Sequence, residues 1–203
     1  QSKSFRRIVF DELCANFLTL SKNRKRIRIK KSPKIFTSKN SELIKHNLPF
    51  KLTNDQEKVL DEINQDLLSD KRMFRIIQGD VGSGKTIVSL LSILNVIKSG
   101  YQCALMSPTE ILARQHYTLI KKIFKNENFN IEFLTGKTEN KIKKNILAKL
   151  TFGKIKLLIG THALFQKKIS FQKLGLVVID EQHKFGVKQR SDLAKKGGNE
   201  CDV

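Results

Sequence analysis

Between residues 79 and 86 the chain reads Gly79-Asp80-Val81-Gly82-Ser83-Gly84-Lys85-Thr86, a full G-x-x-x-x-G-K-[ST] pattern. Each residue type has a physical job in holding a polyphosphate. Glycines permit positive φ and let backbone N–H groups come close to phosphate oxygens. The start of a following helix adds partial positive charge. Lys85 would reach the β- and γ-phosphates, and the Thr86 hydroxyl would ligate Mg²⁺. Far along the chain, Val177-Val178-Ile179-Asp180-Glu181-Gln182-His183 puts two carboxylates where an apolar run ends. Asp180 would hold Mg²⁺ through water. Glu181 would orient or deprotonate an attacking water. Gln182 and His183 would sense the γ-phosphate. The first motif alone means nucleotide binding; the second adds hydrolysis. ATP and Mg²⁺ are the cofactors expected.

These residues need elements to position them. Apolar runs predict strands at Met73–Gln78, Gln102–Ser107, Asn130–Leu134, Ile155–Ile159 and Leu174–Ile179. Helical spacing predicts helices at Asp55–Ser69, Thr86–Lys98, Glu110–Phe124 and Lys141–Leu150, with a short helix near Ala163–Gln166. Apolar strands alternating with helices predict an α/β fold, a parallel sheet with helices on both faces. In such a sheet ligands sit at the carboxyl ends of the strands, where both motifs fall. Phe5, Ile8, Val9, Leu13, Phe17 and Leu20 predict a further amphipathic helix over 5–20. Residues 1–50 then read as a basic helical connector and 51–203 as the nucleotide-binding lobe.

The chain has 203 residues and a formal net charge of +20. Residues 1–50 contribute half of that excess, with Lys22, Arg24, Lys25, Arg26, Arg28, Lys30 and Lys31 inside ten residues. Such a cluster attracts polyanions by releasing their counterions. No aromatic residue interleaves it, so it suits phosphates rather than bases. Lysine is abundant throughout, and composition bias alone accounts for part of the charge. No apolar run reaches the ~18 residues of a membrane helix, so no membrane partner is expected. Cys14, Cys103 and Cys201 are far apart and odd in number, which argues against a disulfide framework or zinc ribbon and for a reducing, cytoplasmic location. Cys103 reads as a small core residue. The chain begins at Gln1 without a Met or signal peptide, which suggests a piece of a longer protein.

Weaker signals surround the two motifs. An Asp-Glu-x-His box after the last strand points to superfamily-2 nucleic-acid motors rather than to kinases or transport ATPases. Phe50-Lys51-Leu52-Thr53-Asn54-Asp55-Gln56 resembles the Q motif of those motors. By that resemblance Gln56 would read the adenine edge, with Phe50 nearby. Thr53-x-x-Gln56 is equally a capping box for the next helix. Ser107-Pro108-Thr109-Glu110 looks like the motif that touches the sugar-phosphate backbone in this superfamily, or a plain N-cap. Thr135-Gly136-Lys137 and Gly160-Thr161-His162 follow the next two strands, and their counterparts line the DNA track. Either could equally be a strand-to-helix turn. The DNA-contact expectations are therefore Pro108, Thr109, Glu110, Thr135, Gly136, Thr161 and His162.

Together, Gln78–Thr86, Ala104–His116, Ile159–Gln166 and Val177–Arg190 resemble the RecG family of branch-migrating DNA helicases. The resemblance covers Phe50–Arg190 well and the first fifty residues loosely. Transcription-repair coupling translocases are similar, but usually carry Phe where this chain has Ser83 and Glu where it has Gln182. The resemblance implies the first RecA-like lobe of an ATP-dependent DNA motor acting on duplex and branched DNA. It implies remodelling of stalled forks and Holliday junctions in repair and recombination. It also implies partners in the same full-length chain: a second RecA-like lobe, which supplies an arginine to the ATP site, and a DNA-binding wedge domain. Without them the chain is expected to be nearly inactive. A non-catalytic, nucleotide-sensing DNA-binding module is the alternative of another class, and it would not need Glu181.

Overall fold

The computed structural model describes residues 7, 9–15, 17–18, 30–36, 48 and 50–203. A four-stranded, all-parallel sheet of order β2-β3-β1-β4 forms the centre. Its strands are β1 (Gln102–Met106), β2 (Asn130–Leu134), β3 (Ile155–Gly160) and β4 (Leu174–Ile179). Parallel neighbours require crossovers, and these are α3 (Glu110–Ile123), α4 (Asn140–Thr151) and a 3-10 turn at His162–Phe165. Before the sheet run α1 (Asn54–Leu68) and α2 (Lys85–Lys98). After it come a 3-10 turn at Gln182–Lys184, α5 (Val187–Lys195) and a last turn at Gly198–Glu200.

Side-chain alternation along each strand divides the interior into two cores. Cys103, Leu105, Leu157, Ile159 and Leu176 face α1, α2 and α3. Ala104, Met106, Leu158 and Val177 face α4 and α5. Helices therefore cover both faces, as the sequence implies. The most enclosed helix is α2, with ten buried residues from Ile87 to Ile97. Cys103 is fully buried and its thiol pKa is raised well above the ordinary range by burial, in keeping with a core role. No helix among the described residues is long and apolar enough to cross a membrane.

Met73–Gln78 is not a strand, contrary to the expectation. It has a ladder partner only at its start. Val203 N–H donates to Met73 O at 3.1 Å, and Arg75 N–H donates to Val203 O at 3.0 Å. Val203 belongs to a short segment that also joins β4: Asp202 N–H donates to Gly175 O, and Val177 N–H donates to Asp202 O, both at 2.9 Å. Residues 201–203 thus lie between β4 and 73–75. Past Arg75 the ladder stops among the described residues, and Ile76 is well exposed, as is Phe74 within the paired stretch. A strand is defined by its neighbours, so an apolar run without them stays unassigned.

The basic stretch also differs from expectation at one end. Residues 22–29 lie outside the described residues, but Lys31 is buried and turned inward. Lys31 Nζ and Lys34 Nζ each lie 2.6 Å from Asp202 Oδ2, and all three side chains are sealed from solvent. Burial lowers the Lys31 pKa in spite of that partner. Lys31 therefore anchors segment 30–36 to the lobe instead of facing phosphate. Of the expected helix over 5–20, the described residues between 7 and 18 are helical, with Phe10, Leu13, Phe17 and Leu18 exposed.

Candidate nucleotide site

The strand registers set the site. Met106 pairs with Gly160 and with Ile179, and Leu134 pairs with Gly160. All four strands therefore end at one level, and every turn that follows opens on one edge. Gly160 serves this closeness, since a Cβ there would lie 2.0 Å from Leu134 O.

The phosphate loop enters this edge from residues 73–78. Gly82 and Gly84 sit at φ +83° and +81°, which disfavours any side chain there. Gly84 is the N-cap of α2, and no side chain caps that end. The first N–H groups of a fourteen-residue helix thus point into the loop, as an anion requires. Lys85 Nζ is folded into the same curve, 2.7 Å from both Gly79 O and Asp80 O and 3.4 Å from Ser83 Oγ. Ser83 N–H donates to Asp80 O at 3.1 Å, closing the turn, and Val81 stands fully exposed at its tip.

Asp180 stands across from this loop. Its N–H donates to Met106 O at 2.8 Å, so the β1–β4 ladder fixes its backbone. His116 Nε2 lies 2.9 Å from Asp180 Oδ2. That hydrogen bond is the main reason the Asp180 carboxyl is held below its usual pKa; burial opposes it, and the positive charge of Lys85 adds to it. Glu181 adopts the left-handed conformation at φ 51°, the only non-glycine residue among those described with positive φ. Such backbone strain concentrates at functional sites. Its carboxylate reaches His183 Nε2 at 3.4 Å.

A cleft of about 1170 Å³ joins the two motifs. Gly79, Asp80, Lys85 and Thr86 line it together with Asp180 to His183. The donors suit magnesium. Thr86 and Asp180 offer hard oxygens, and Mg²⁺ is commonly held by one or two carboxylates with phosphates completing its shell. Among the described residues no cluster of three or more His, Cys, Asp or Glu could hold a metal unaided.

Gln56 takes the capping role and also braces the glycine loop. Its Oε1 accepts from Thr53 N–H at 3.0 Å and its backbone N–H donates to Thr53 Oγ1, completing the capping box. Its Nε2 donates to Ser83 O at 2.9 Å, bracing the loop from behind. An adenine contact would use the second amide hydrogen. Phe50 is exposed and does not line the cleft.

The remaining turns share the edge. Thr109 caps α3 by accepting from Leu112 N–H at 3.3 Å, just after Pro108. Glu110 pairs with Arg114 at 3.2 Å and approaches Lys137 Nζ at 4.0 Å, which links the first and second turns. Thr135 accepts from Lys137 N–H beside the open Gly136. Thr161 precedes the 3-10 turn, and the His162 ring packs 5.0 Å from Phe185, just past the acidic box. Sequence reasoning gave His116 no role. Its only signal is its place seven residues after Thr109 on a helix that must cross back over the sheet.

Comparison with known proteins agrees with this geometry. The family model for DEAD/DEAH box helicases matches residues 53–200. An ATP-dependent DNA helicase RecG of Aquifex aeolicus is 47% identical over 197 residues, covering 95% of this chain and 24% of that protein. The RecG of Thermotoga maritima is 45% identical over 96% of this chain and 25% of its own length. Among solved structures, RecG bound to a three-way DNA junction matches with a TM-score of 0.76 and 44% identity, over 84% of this chain and 23% of that one. A hypothetical ATP-dependent RNA helicase from Sulfolobus tokodaii shares the fold, with a TM-score of 0.63 at 20% identity over 82% of this chain and 49% of its own. The chain thus spans about a quarter of the length of the RecG proteins it matches. With the glycine loop and acidic box on one edge of a RecA-like parallel sheet, and a family model matching most of its length, this chain belongs to the DEAD/DEAH box helicases and is similar within them to RecG.

Proposed function

We propose that residues 51–203 are the ATP-binding lobe of an ATP-dependent DNA motor, preceded by a connector over residues 1–50. The single observation that carries this reading is the shared cleft, whose lining includes Lys85 and Thr86 as well as Asp180 and Glu181. In this reading the loop amides and Lys85 hold the triphosphate, while Thr86 and Asp180 hold Mg²⁺. The cation, when bound, neutralises charge developing on the transferred phosphoryl group. Glu181 accepts a proton from the attacking water, and Gln182 and His183 respond to the γ-phosphate. Gln56 and Phe50, neither of which lines the cleft, would meet the base at its rim.

The DNA partner rests on the likeness to a RecG solved on a three-way junction. Pro108, Thr109 and Glu110, Thr135 and Gly136, and Thr161 and His162 form the phosphate-gripping edge. Phosphate contacts carry little sequence information, so binding is structure-selective and weakens with salt. In the full-length cytoplasmic protein, ATP closes this lobe on a second one, and hydrolysis reopens them. The work done is fork remodelling and Holliday-junction branch migration. The lobe alone hydrolyses little, because the arginine of the second lobe is needed. A transcription-repair coupling role is less favoured, given Ser83 and Gln182.

Glu181→Gln tests this reading against a nucleotide-sensing module. In the full-length protein the variant is expected to bind ATP normally and to lose DNA-stimulated turnover by about 10²–10⁴-fold, the range for a positioned general base. Steady-state hydrolysis and equilibrium binding of a fluorescent ATP analogue measure the two effects. Undiminished fork remodelling by Glu181→Gln would contradict a motor.

A further inference from the structure

We propose that His116 is a positioning residue which fixes the Asp180 carboxylate for the cation and ties it, through α3, to the Ser107–Glu110 turn. The inference rests on the reading of Asp180 as a Mg²⁺ ligand. His116 Nε2 lies 2.9 Å from one carboxylate oxygen, Oδ2, and this contact spans 64 residues of sequence. The His116 side chain is only 13% exposed, so it is enclosed rather than free to swing through solvent. This bond to Oδ2, together with a backbone hydrogen bond from Glu181, restrains the carboxylate's rotation. Neutral or charged, the imidazole can present an Nε2–H here.

The helix that carries His116 begins at the turn expected to touch phosphate. Thr109 caps α3, and His116 lies seven residues on. Seven residues are close to two helical turns, about 10.5 Å along the axis, so both sit on one face. That face is held to the sheet throughout: Ala113 and Ile120 are fully buried between and beyond them. Tyr117 packs on Phe133 at 5.5 Å, and the Arg114 guanidinium lies 4.9 Å from the same ring. The far end of the link is equally fixed, since Asp180 N–H is bound to Met106 O, one residue before Ser107. A displacement of the turn therefore reaches Asp180 along two routes, the strand end and the helix. Partners that orient a ligating carboxylate commonly carry a 10–100-fold effect on metal affinity.

The test uses the full-length protein and the Mg²⁺ concentration that half-saturates tightening of a fluorescent ADP analogue, with and without duplex DNA. His116→Ala is expected to raise that concentration by about 10-fold or more without changing metal-free nucleotide affinity. His116→Gln, whose Nε2 can donate to the same oxygen, is expected to restore most of the loss. Duplex DNA is expected to lower the half-saturating Mg²⁺ in the wild type and to do so far less in His116→Ala. A wild-type Mg²⁺ response in His116→Ala overturns the positioning role, as does a folded His116→Gln without rescue. A DNA-induced shift that is missing in the wild type, or equal in His116→Ala, overturns the link. Asp180→Ala separates the two readings: if it keeps the Mg²⁺ response, the ligand assignment itself fails, whereas its loss beside a normal His116→Ala sinks only this inference.

Discussion

Lys85→Ala in the full-length protein is expected to abolish ATP-driven remodelling, with DNA-stimulated ATPase falling by at least about 10²-fold. That is the scale for removing one preorganised charge aimed at a developing transition-state charge. The Lys85 ammonium lies within the loop, 2.7 Å from two of its carbonyls, so the chain holds the positive charge where phosphate oxygens would come. Alanine leaves the glycine turn and the helix N-terminus but removes the charge. DNA binding is expected to be nearly unchanged, because the turns proposed to grip DNA, after β1, β2 and β3, do not use Lys85. Parallel measurement of junction binding and of ATP hydrolysis checks both halves. Undiminished turnover would refute the phosphate-loop assignment.

Asp202→Ala is expected to destabilise the fold by about 3–5 kcal/mol, the usual cost of stripping the partner from a buried charge. Its Oδ2 accepts from Lys31 and Lys34 at 2.6 Å each, and its Oδ1 accepts from Met73 N–H at 2.7 Å. All three side chains are fully enclosed. Removing the carboxylate leaves two ammonium groups without a counter-charge and one backbone donor without an acceptor. The urea midpoint is expected to fall without a change in slope, and an unchanged midpoint would contradict the network. The pH dependence has a definite sign. Burial lowers the folded-state pKa of Lys31 below 10.5, so the unfolded chain binds more protons between the two values. The stability owed to this group therefore rises with pH across that window. Lys31→Met is expected to flatten that rise.

Much of the lobe is legible because its signals are local. The capping Thr53 and the apolar spacing Leu60, Ile63, Leu67 mark α1 within a residue. The runs at β1, β3 and β4 are buried on both faces, so each is almost wholly apolar and easy to read. The positions of the two motifs are legible because each is set locally: the glycine turn leads straight into α2, and the Asp180–Glu181 pair follows directly on the apolar run of β4. Residues 73–78 mislead for the opposite reason. Their apolar pattern speaks of burial, but strand character depends on neighbours supplied 130 residues away by Asp202 and Val203. The inward turn of Lys31 hides in a basic run, since its counter-charge is equally remote. The His116–Asp180 contact likewise joins a helix middle to a strand end across the fold.

The central claim is that one nucleotide bridges the phosphate loop and the acidic strand end. Its most direct test is a crystal structure of the protein with a non-hydrolysable ATP analogue and Mn²⁺, the metal located by anomalous scattering. The expected result places the β- and γ-phosphates against the N-terminus of α2, with the metal bound to Thr86 Oγ1 and joined to Asp180 directly or through one water. A triphosphate bound away from Gly79–Thr86, or a metal that never approaches Asp180, would contradict it.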